Sequence, residues 1–297
     1  MNTKQWDEQE HAIWKVFPLH PQPQPFEALS SYLVRLLEAN HFSSVSHLFT
    51  LLGLAPGGHS FFTSCDYRAE LAASLTSLTG CKSSRLHATT LLPLGQAFGW
   101  TSQHELCKFL DPCLVSFLRY CPVCLSEQSP PYYSLIWRFL VVRGCPKHKC
   151  PLLHRCEHCG AQVPLLPRIP RLGQCTHCGK DLRNCSTLPL SEHIFQTVLR
   201  TYGDLEMLLS FEKWEIEGNQ RMVIGRGFLL RRESQGYTIE RLVSKWQKSK
   251  LLMLAIEQGD LNGKAAFCDY IWYAEILHTS LKEIFEPLLG RSALPEI

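Results

Sequence analysis

Four short cysteine motifs constrain the fold of this chain more than any other feature. They are Cys121-Pro-Val-Cys124, Cys145-Pro-Lys-His148, Cys156-Glu-His-Cys159 and Cys175-Thr-His-Cys178, with 20 residues between the first two and 15 between the last two. A CxxC turn places two thiolates on one side of a tight loop, and two such turns complete a four-coordinate zinc site. The spacing therefore predicts two structural zinc ions per chain, one held by Cys121, Cys124, Cys145 and His148 and one by Cys156, Cys159, Cys175 and Cys178.

Other uses of these cysteines fit the sequence less well. The N-terminal residues are polar and acidic and hold no apolar segment of the kind found in a secretory signal, so we expect a cytoplasmic protein without disulfides. A redox CxxC needs one motif beside a βαβ unit. A catalytic zinc ion needs an open coordination position, whereas four ligands fill each predicted site. Nearby residues that could replace a predicted ligand are Cys150, His154, His158, His177 and Cys185.

Positive charge is concentrated in the same part of the chain. The net charge is +3, but residues 121–185 hold nine basic and three acidic side chains, whereas residues 1–120 hold eight and nine. This distribution excludes a uniformly basic, histone-like protein. The predicted nucleic-acid contacts are Arg68, Lys82, Arg85, Lys147, Lys149, Arg155, Arg168, Arg171, Arg241, Lys245 and Lys248. A solvated surface is the alternative interpretation of each of these cations.

Apolar residues on both sides of the cysteine motifs recur at helical spacing. Before the motifs the pattern predicts a helix from Glu27 to Asn40, a second from Ser44 to Gly53, a third capped by Asp66 and ended by Gly80, a short segment ending at Pro93, and another from Ser102. After the motifs it predicts a helix from Ser191 to Gly203, a basic helix capped by Thr238, and a last helix from Phe267 to Phe285.

These elements predict a mainly α fold. Its parts are an N-terminal arm over residues 1–25, a helical, helix-turn-helix-like domain over 26–118, a tandem zinc-binding module with short β-hairpins over 119–186, and a C-terminal helical domain over 187–297. Trp137 is expected to anchor the zinc module on the helices. The longest apolar run, Leu135 to Val142, is interrupted by Arg138 and is too short to span a bilayer.

Three stretches resemble the TniQ/TnsD family of transposition proteins. Residues 26–36, Phe-Glu-Ala-Leu-Ser-Ser-Tyr-Leu-Val-Arg-Leu, are similar to the family's opening motif E-S-x-x-S-W/Y-x-x-R-L, with Ala28 where a small hydroxylated residue is frequent. Residues 85–94 resemble the segment before the zinc module. Cys121-Pro-Val-Cys124, Trp137, Cys145-Pro-Lys-His148 and Cys156-x-x-Cys159 resemble the core signature. The likeness extends from about residue 17 to 180 and is vague beyond 190.

The resemblance implies a non-catalytic target-selection adaptor of a Tn-seven-like or CRISPR-associated transposon. Such a protein brings a TnsC-like AAA+ ATPase to the chosen site, and the transposase follows. The length of the chain favours a TniQ protein attached to an RNA-guided effector, of the Cascade type rather than the Cas12 type. No membrane contact is expected, and the choice between a monomer and a homodimer stays open.

Two other functions remain alternatives at this point. One is a stand-alone, TnsD-like protein that recognises an attachment site in DNA. The other is an enzyme such as a nuclease or a transposase. The chain has no GxxxxGK[ST], HExxH or GxSxG motif and only seven aspartates, which leaves few carboxylates for a two-metal site. The sequence therefore favours a protein without an active site.

Overall fold

The computed structural model describes residues 17–52, 64–185, 187–210, 219–246 and 249–285. Across these residues the protein is mainly helical, with one two-stranded hairpin and isolated β-bridges. The predicted fold class, helices on both sides of a zinc-finger-like module, is confirmed. None of the described helices is long and apolar enough to cross a membrane.

The elements follow one another in chain order. The helices before the first cysteine motif are α1 (Leu29–Ala39), α2 (Val45–Leu51), α3 (Ala69–Thr79), α4 (Ser83–His87), α5 (Leu92–Ala97) and α6 (Gln103–Leu110). The cysteine-rich region contains α7 (Pro122–Glu127), β1 (Gly144–Cys145) and β2 (Cys150–Pro151). The helices after it are α8 (Glu192–Leu209), α9 (Gln220–Ser234), α10 (Ile239–Trp246), α11 (Lys250–Glu257), α12 (Phe267–Ile276) and α13 (Leu281–Phe285).

Several predicted helix ends are confirmed. Ser44 caps α2 by accepting a hydrogen bond from the amide of Ser46, and Ser102 caps α6 by accepting one from the amide of Glu105, each at 3.3 Å. Gly80 ends α3 with φ 64°, in the left-handed region that glycine adopts without steric penalty. Gly53, predicted to end α2, lies outside the described residues.

The prediction that Asp66 caps the third helix is wrong. Asp66 lies in a short 3₁₀ turn, Cys65–Tyr67, and α3 begins only at Ala69. Its carboxylate is fully buried and accepts hydrogen bonds from the amide of Ser30 (2.7 Å) and from the guanidinium of Arg138. These partners lie 36 and 72 residues away in the sequence, so local capping patterns do not reveal them.

The prediction that Gly203 ends α8 is also wrong, since this helix continues to Leu209. Leu205 and Leu208 are completely buried. Packing of this apolar stripe therefore outweighs the low helix propensity of glycine.

The single helix predicted over Phe267–Phe285 is two helices, α12 and α13. His278, with φ 49°, takes the left-handed conformation just after α12. The carboxylate of Asp204 then accepts hydrogen bonds from the amides of Leu281 (3.0 Å) and Lys282 (2.9 Å) and so fixes the start of α13. Burial raises the pKa of Asp204 to about 6, although the two amides act in the opposite direction.

Contacts within the chain group it into two compact units. The first comprises the described residues of Met1–Leu92, Val115–Arg138 and Lys147–Pro189, and the second those of Pro93–Leu114, Phe139–Pro146 and Leu190–Ile297. The four-part division of the sequence remains a prediction. Residues 17–25, in the predicted arm, contain no helix or strand, and the amide of Phe17 donates a hydrogen bond to the carbonyl of Leu78 (2.9 Å).

The core of the first unit surrounds α1. Apolar side chains of α1 that are almost fully buried are Leu29, Tyr32, Leu33, Leu36 and Leu37. They belong to one cluster with residues of α2, α3 and α4, namely Val45, Leu48, Phe49, Leu71, Leu75 and Leu86, and with Leu166 and Leu172 from the cysteine-rich region. Residues 40–44 separate α1 from α2, and the helix-turn-helix-like arrangement of this domain stays a prediction.

A buried ion pair ties α1 to the residues before it. The guanidinium of Arg35 donates two hydrogen bonds to the carboxylate of Glu27, at 2.8 and 2.6 Å. Glu27 is completely buried, and it also accepts a hydrogen bond from the hydroxyl of Ser31 (2.9 Å). That hydroxyl in turn accepts one from the amide of Tyr133 (2.9 Å). This network explains why Glu, Ser and Arg occur at these positions of the opening motif.

The core of the second unit is an aromatic cluster. The ring centroid of Phe98 lies 5.0 Å from Phe109, 5.0 Å from Tyr270 and 5.7 Å from Phe267. Most of these pairs meet edge to face, the geometry that aromatic quadrupoles prefer. Because α6 and α12 supply three of these rings, the cluster joins helices that lie far apart in the sequence.

Replacing Arg35 by leucine should lower the free energy of unfolding by about 3–5 kcal/mol, because the Glu27 charge would stay buried without its partner. The double variant Arg35→Leu, Glu27→Gln should recover part of this loss. The matched control is Arg68→Leu, because Glu70, the partner of Arg68, is half exposed. Removing this exposed ion pair should lower the free energy of unfolding by about 1 kcal/mol or less. Chemical denaturation of the three variants measures these differences. Equal losses for Arg35→Leu and Arg68→Leu would contradict a stabilising role for the buried pair.

Candidate metal centres

The first cluster joins the start of α7 to the β1–β2 hairpin. Its donor atoms belong to Cys121, Cys124, Cys145 and His148, and all four lie within 4.8 Å of one another. His148 Nδ1 is 3.4 Å from the sulfur of Cys121 and 3.2 Å from that of Cys124. Typical zinc bond lengths give tetrahedral S–N edges of roughly 3.6 Å. The donors are therefore spaced as the corners of a tetrahedral zinc site.

Local backbone structure forms the first half of this cluster. Cys121 is the N-cap of α7, and its sulfur accepts a hydrogen bond from the amide of Cys124 (3.5 Å). Pro122 lies in the first turn of α7. A backbone N–H at this position would have no hydrogen-bond acceptor within the helix, so proline removes no hydrogen bond, and its fixed φ suits the helix. The Cys-Pro-x-Cys sequence thus folds as a capped helical turn that places both sulfurs on one side.

Glu127 orients the imidazole of His148. Its carboxylate lies 3.0 Å from His148 Nε2, while Nδ1 faces the two sulfurs. With Nε2 protonated toward the carboxylate, Nδ1 keeps the lone pair that a metal ligand needs. Hydrogen bonds from Lys147 and then from His148 hold the pKa of Glu127 below its usual range. The sequence analysis missed Glu127, although it follows Cys124 by three residues and so lies on the same side of α7.

The second cluster consists of two similar turns. The sulfurs of Cys156 and Cys178 are 3.7 Å apart, those of Cys159 and Cys175 are 3.6 Å apart, and all four lie within 4.8 Å of one another. Tetrahedral zinc requires S–S edges of roughly 3.8 Å. The cluster therefore has the dimensions of a four-thiolate site.

A glycine completes each turn of the second cluster. Gly160 and Gly179 have φ 70° and 72°, in the left-handed region that glycine adopts without strain. Their amides donate hydrogen bonds to the carbonyls of Cys156 (2.8 Å) and Cys175 (2.9 Å).

The donor sets fit metal binding of the structural kind. Each cluster supplies four protein ligands, and thiolate with imidazole is the donor chemistry typical of zinc. Both groupings coincide with the two predicted ligand sets. With four protein ligands on one ion, neither cluster leaves a coordination position for a substrate.

The substitute ligands considered from the sequence lie outside the two clusters. Cys150 comes nearest, since its buried sulfur is 3.6 Å from that of Cys121. The sulfur of Cys185 is 4.0 Å from the hydroxyl of Tyr120. His154, His158 and His177 are exposed. Among the described residues, Cys150 is therefore the substitute ligand whose role a variant needs to test.

Several of the predicted nucleic-acid contacts have protein partners. Arg68 pairs with Glu70 (3.1 Å) and Lys147 with Glu127 (2.5 Å). Arg85 donates a hydrogen bond to the side-chain oxygen of Gln22 (2.8 Å), and Arg155 donates one to the carbonyl of Gly160 (2.9 Å). The guanidinium of Arg241 lies 5.1 Å from the ring centroid of Tyr237. The assignment of these residues to nucleic-acid contact stays a prediction.

The remaining predicted cations are spread over the surface. Lys82 precedes α4, Lys149 lies in the hairpin, and both side chains are exposed. Arg168 and Arg171 are exposed on the loop before Cys175, and the carbonyl of Arg168 accepts a hydrogen bond from the amide of Val45 at the start of α2 (3.0 Å). The side chain of Lys245 and all of Lys248 lie outside the described residues.

Comparison with known proteins finds one family. Residues 18–152 match the model of the TniQ family. The matched range includes the Glu27–Arg35 network and the whole first cluster, whereas the second cluster lies beyond it. No curated protein matches the chain.

We expect the purified protein to contain two zinc ions per chain. Cys124→Ser and Cys159→Ser should each remove one ion and make the cysteine-rich region sensitive to proteolysis, because structural zinc contributes folding free energy directly. Elemental analysis beside limited proteolysis measures both effects.

Two further variants test the assignment of ligands. Cys107→Ser, which changes a half-buried cysteine outside the clusters, should retain both ions. Cys150→Ser should also retain both, because Cys150 lies beside the assigned ligands and is not one of them. Loss of one ion from Cys150→Ser would contradict the assignment, and folded wild-type protein with fewer than two ions would contradict the two-site model.

Proposed function

We propose that this chain, which matches the model of the TniQ family over residues 18–152, is a non-catalytic target-selection adaptor in DNA transposition. The adaptor links a targeting complex, an RNA-guided CRISPR effector of the Cascade type, to a TnsC-like AAA+ ATPase that recruits the transposase. The family match carries this proposal, since it covers both the Glu27–Arg35 network and the first metal cluster.

The chemistry of the two clusters supports a non-catalytic role. Four protein ligands per cluster leave no coordination position where a metal-bound water could attack a phosphodiester. The buried carboxylates of Glu27 and Asp66 each form an ion pair with an arginine, so they are engaged in holding the fold. These groups stabilise the fold and leave recognition to side chains at the surface.

Two compact units support a bridging role. The first has a core centred on α1, and the second has the aromatic cluster around Phe98. Because each unit has its own core, each offers a separate surface to a partner. A protein with two such surfaces can hold two partners without chemistry of its own.

Reconstitution tests this function directly. The wild-type chain is combined with the ATPase and the effector encoded beside it, and binding to each is measured separately, together with targeted insertion. We expect both interactions, and we expect insertion at the target to require this chain. ATP hydrolysis or metal-dependent strand cleavage by the chain alone, or insertion at full rate without it, would overturn the proposal.

Direct DNA recognition is a second candidate that one observation favours. In α2 the residues Ser46, His47 and Thr50 are exposed. Arg168 and Arg171 lie on the loop whose Arg168 carbonyl accepts a hydrogen bond from the amide of Val45 at the start of this helix. The second helix of a helix-turn-helix reads the major groove while cations beside it contact phosphates. This surface therefore suits a TnsD-like contact with an attachment site.

Salt dependence distinguishes this candidate from a solvated surface. The double variant Arg168→Glu, Arg171→Glu should weaken binding to duplex DNA and lower the slope of log K against log salt by about 0.9 for each phosphate that the protein no longer neutralises. The matched control is Arg200→Glu, Arg226→Glu, which reverses two exposed cations of the second unit. Fluorescence anisotropy at several salt concentrations gives the slopes. Equal slopes for both variants and the wild type would reject DNA contact at this surface.

A further inference from the structure

Cys150 lies beside the first cluster without belonging to its ligand set. Its sulfur is 3.6 Å from the sulfur of Cys121, well beyond the length of about 2.05 Å of a disulfide bond, and both residues are free cysteines. The donor atoms that lie within 4.8 Å of one another belong to residues 121, 124, 145 and 148. Cys150 is therefore a fifth group that contacts one ligand and is not itself a ligand.

The β1–β2 hairpin brings Cys150 to this position. Cys145 ends β1 and Cys150 begins β2, so the turn between these strands carries His148. Lys149 follows His148 and has φ 51°, a left-handed conformation that is unfavourable for a residue with a Cβ atom. The fold thus holds the backbone against its local preference at the residue that separates a ligand from Cys150.

Water does not reach the two sulfurs that are in contact. Cys121 is 0% exposed and Cys150 is 2% exposed. A cysteine that ligates a metal ion is deprotonated, and a buried anionic sulfur needs hydrogen-bond donors from the protein. The amide of Cys124 supplies one donor to the sulfur of Cys121, at 3.5 Å. The thiol of Cys150 is placed to supply a second.

Metal binding fixes the direction of the hydrogen bond between the two sulfurs. A metal-bound Cys121 is a thiolate and has no hydrogen to donate, so the S–H group of Cys150 is the donor and the sulfur of Cys121 is the acceptor. A hydrogen bond to an ionised group is stronger than one between neutral groups. This bond therefore stabilises the negative charge that the ligated sulfur keeps inside the protein.

The second cluster has a different environment. Its residues Cys159 and Cys178 are exposed, so water can donate hydrogen bonds to their sulfurs. The three cysteines of the first cluster are all buried. The need for a donor from the protein is therefore greater in the first cluster, and the second cluster serves as an internal control in any measurement on the whole chain.

We propose that Cys150 is an outer residue of the first metal centre, where its thiol donates a hydrogen bond to the metal-bound sulfur of Cys121 and strengthens the hold on the ion. Cys150 is a positioning residue, because it acts on the ion through Cys121. The inference rests on the assignment of the first cluster as a zinc site. It is independent of the proposed adaptor function, so the purified chain alone is sufficient to test it.

Cys150→Ala and Cys150→Ser test the hydrogen bond, since the two variants differ by one hydroxyl group. Cys150→Ala removes the donor and should weaken the binding of one zinc ion about tenfold, the lower end of the effect of such outer residues, because S–H is a weak donor. Cys150→Ser keeps an O–H donor and should stay within about twofold of the wild type. Competition with a chromophoric chelator measures the affinities.

Two controls accompany the affinity measurement. The ion of the second cluster should bind equally well in the wild type and in both variants, because Cys150 is not in contact with the ligand set of that cluster within the described residues. Cys107→Ala, which changes a half-buried cysteine outside the clusters, should leave both affinities unchanged.

Replacing zinc by cobalt gives a readout that a packing role would not move. Without its hydrogen bond the Cys121 thiolate is a better electron donor, so the sulfur-to-cobalt charge-transfer band of Cys150→Ala should shift to longer wavelength, and Cys150→Ser should restore it. The band intensity reports the number of thiolate ligands and should be the same in both variants. If the smaller alanine leaves a cavity that unfolds the protein, Cys150→Val removes the donor while filling the space.

The possible results separate the hydrogen bond from other roles. Wild-type affinity and band position in Cys150→Ala would overturn the proposal. Equal weakening in Cys150→Ala and Cys150→Ser would overturn it in favour of a packing role. Loss of an ion or of band intensity in Cys150→Ser would make Cys150 a ligand and would also overturn it. None of these results bears on the adaptor function, which fails only if the wild-type chain does not bind its partners.

Discussion

The close grouping of the donor atoms of residues 121, 124, 145 and 148, spaced to hold one metal ion, is the constraint on which the cysteine-rich region depends. It brings together two turns that are separated by 20 residues, so it fixes both ends of the segment between them. That segment holds Tyr133, whose amide binds the hydroxyl of Ser31, and Arg138, whose guanidinium binds Asp66. Removal of the ion would release the segment at its ends, and its hydrogen bonds to α1 and to the turn before α3 would then be without support.

The buried ion pairs of the first unit are stable only as complete networks. Removing a carboxylate and a guanidinium from water costs several kcal/mol per ion, roughly, and the attraction between them repays this cost only with good geometry and further hydrogen bonds. Glu27 has both, because it accepts hydrogen bonds from Arg35, from the hydroxyl of Ser31 and from the amide of Gln24 (2.9 Å). Asp66 is likewise bonded by Ser30 and Arg138. Such networks favour one arrangement of α1, because any shift would leave a buried charge without a partner.

The sequence predicted those features that short segments determine. The eight cluster donors follow from motif spacing, and Ser44, Ser102 and Gly80 follow from capping rules that act within one helical turn. The errors arose where distant partners decide. The sequence around Asp66 predicts a helix cap, but in the structure its carboxylate binds Arg138. The break before α13 depends on a hydrogen bond from the amide of Leu281 to Asp204, which lies 77 residues earlier in the sequence.

The residues with the strongest chemistry serve the scaffold of this protein, which agrees with the proposed non-catalytic role. The polar groups with the strongest chemistry, the thiolates and the paired carboxylates, lie inside the metal clusters and the buried networks, where they hold the backbone in place. A rigid scaffold lowers the entropic cost of binding, because surface side chains are already positioned before the partner arrives. Binding of a partner can then rest on exposed side chains that this scaffold positions.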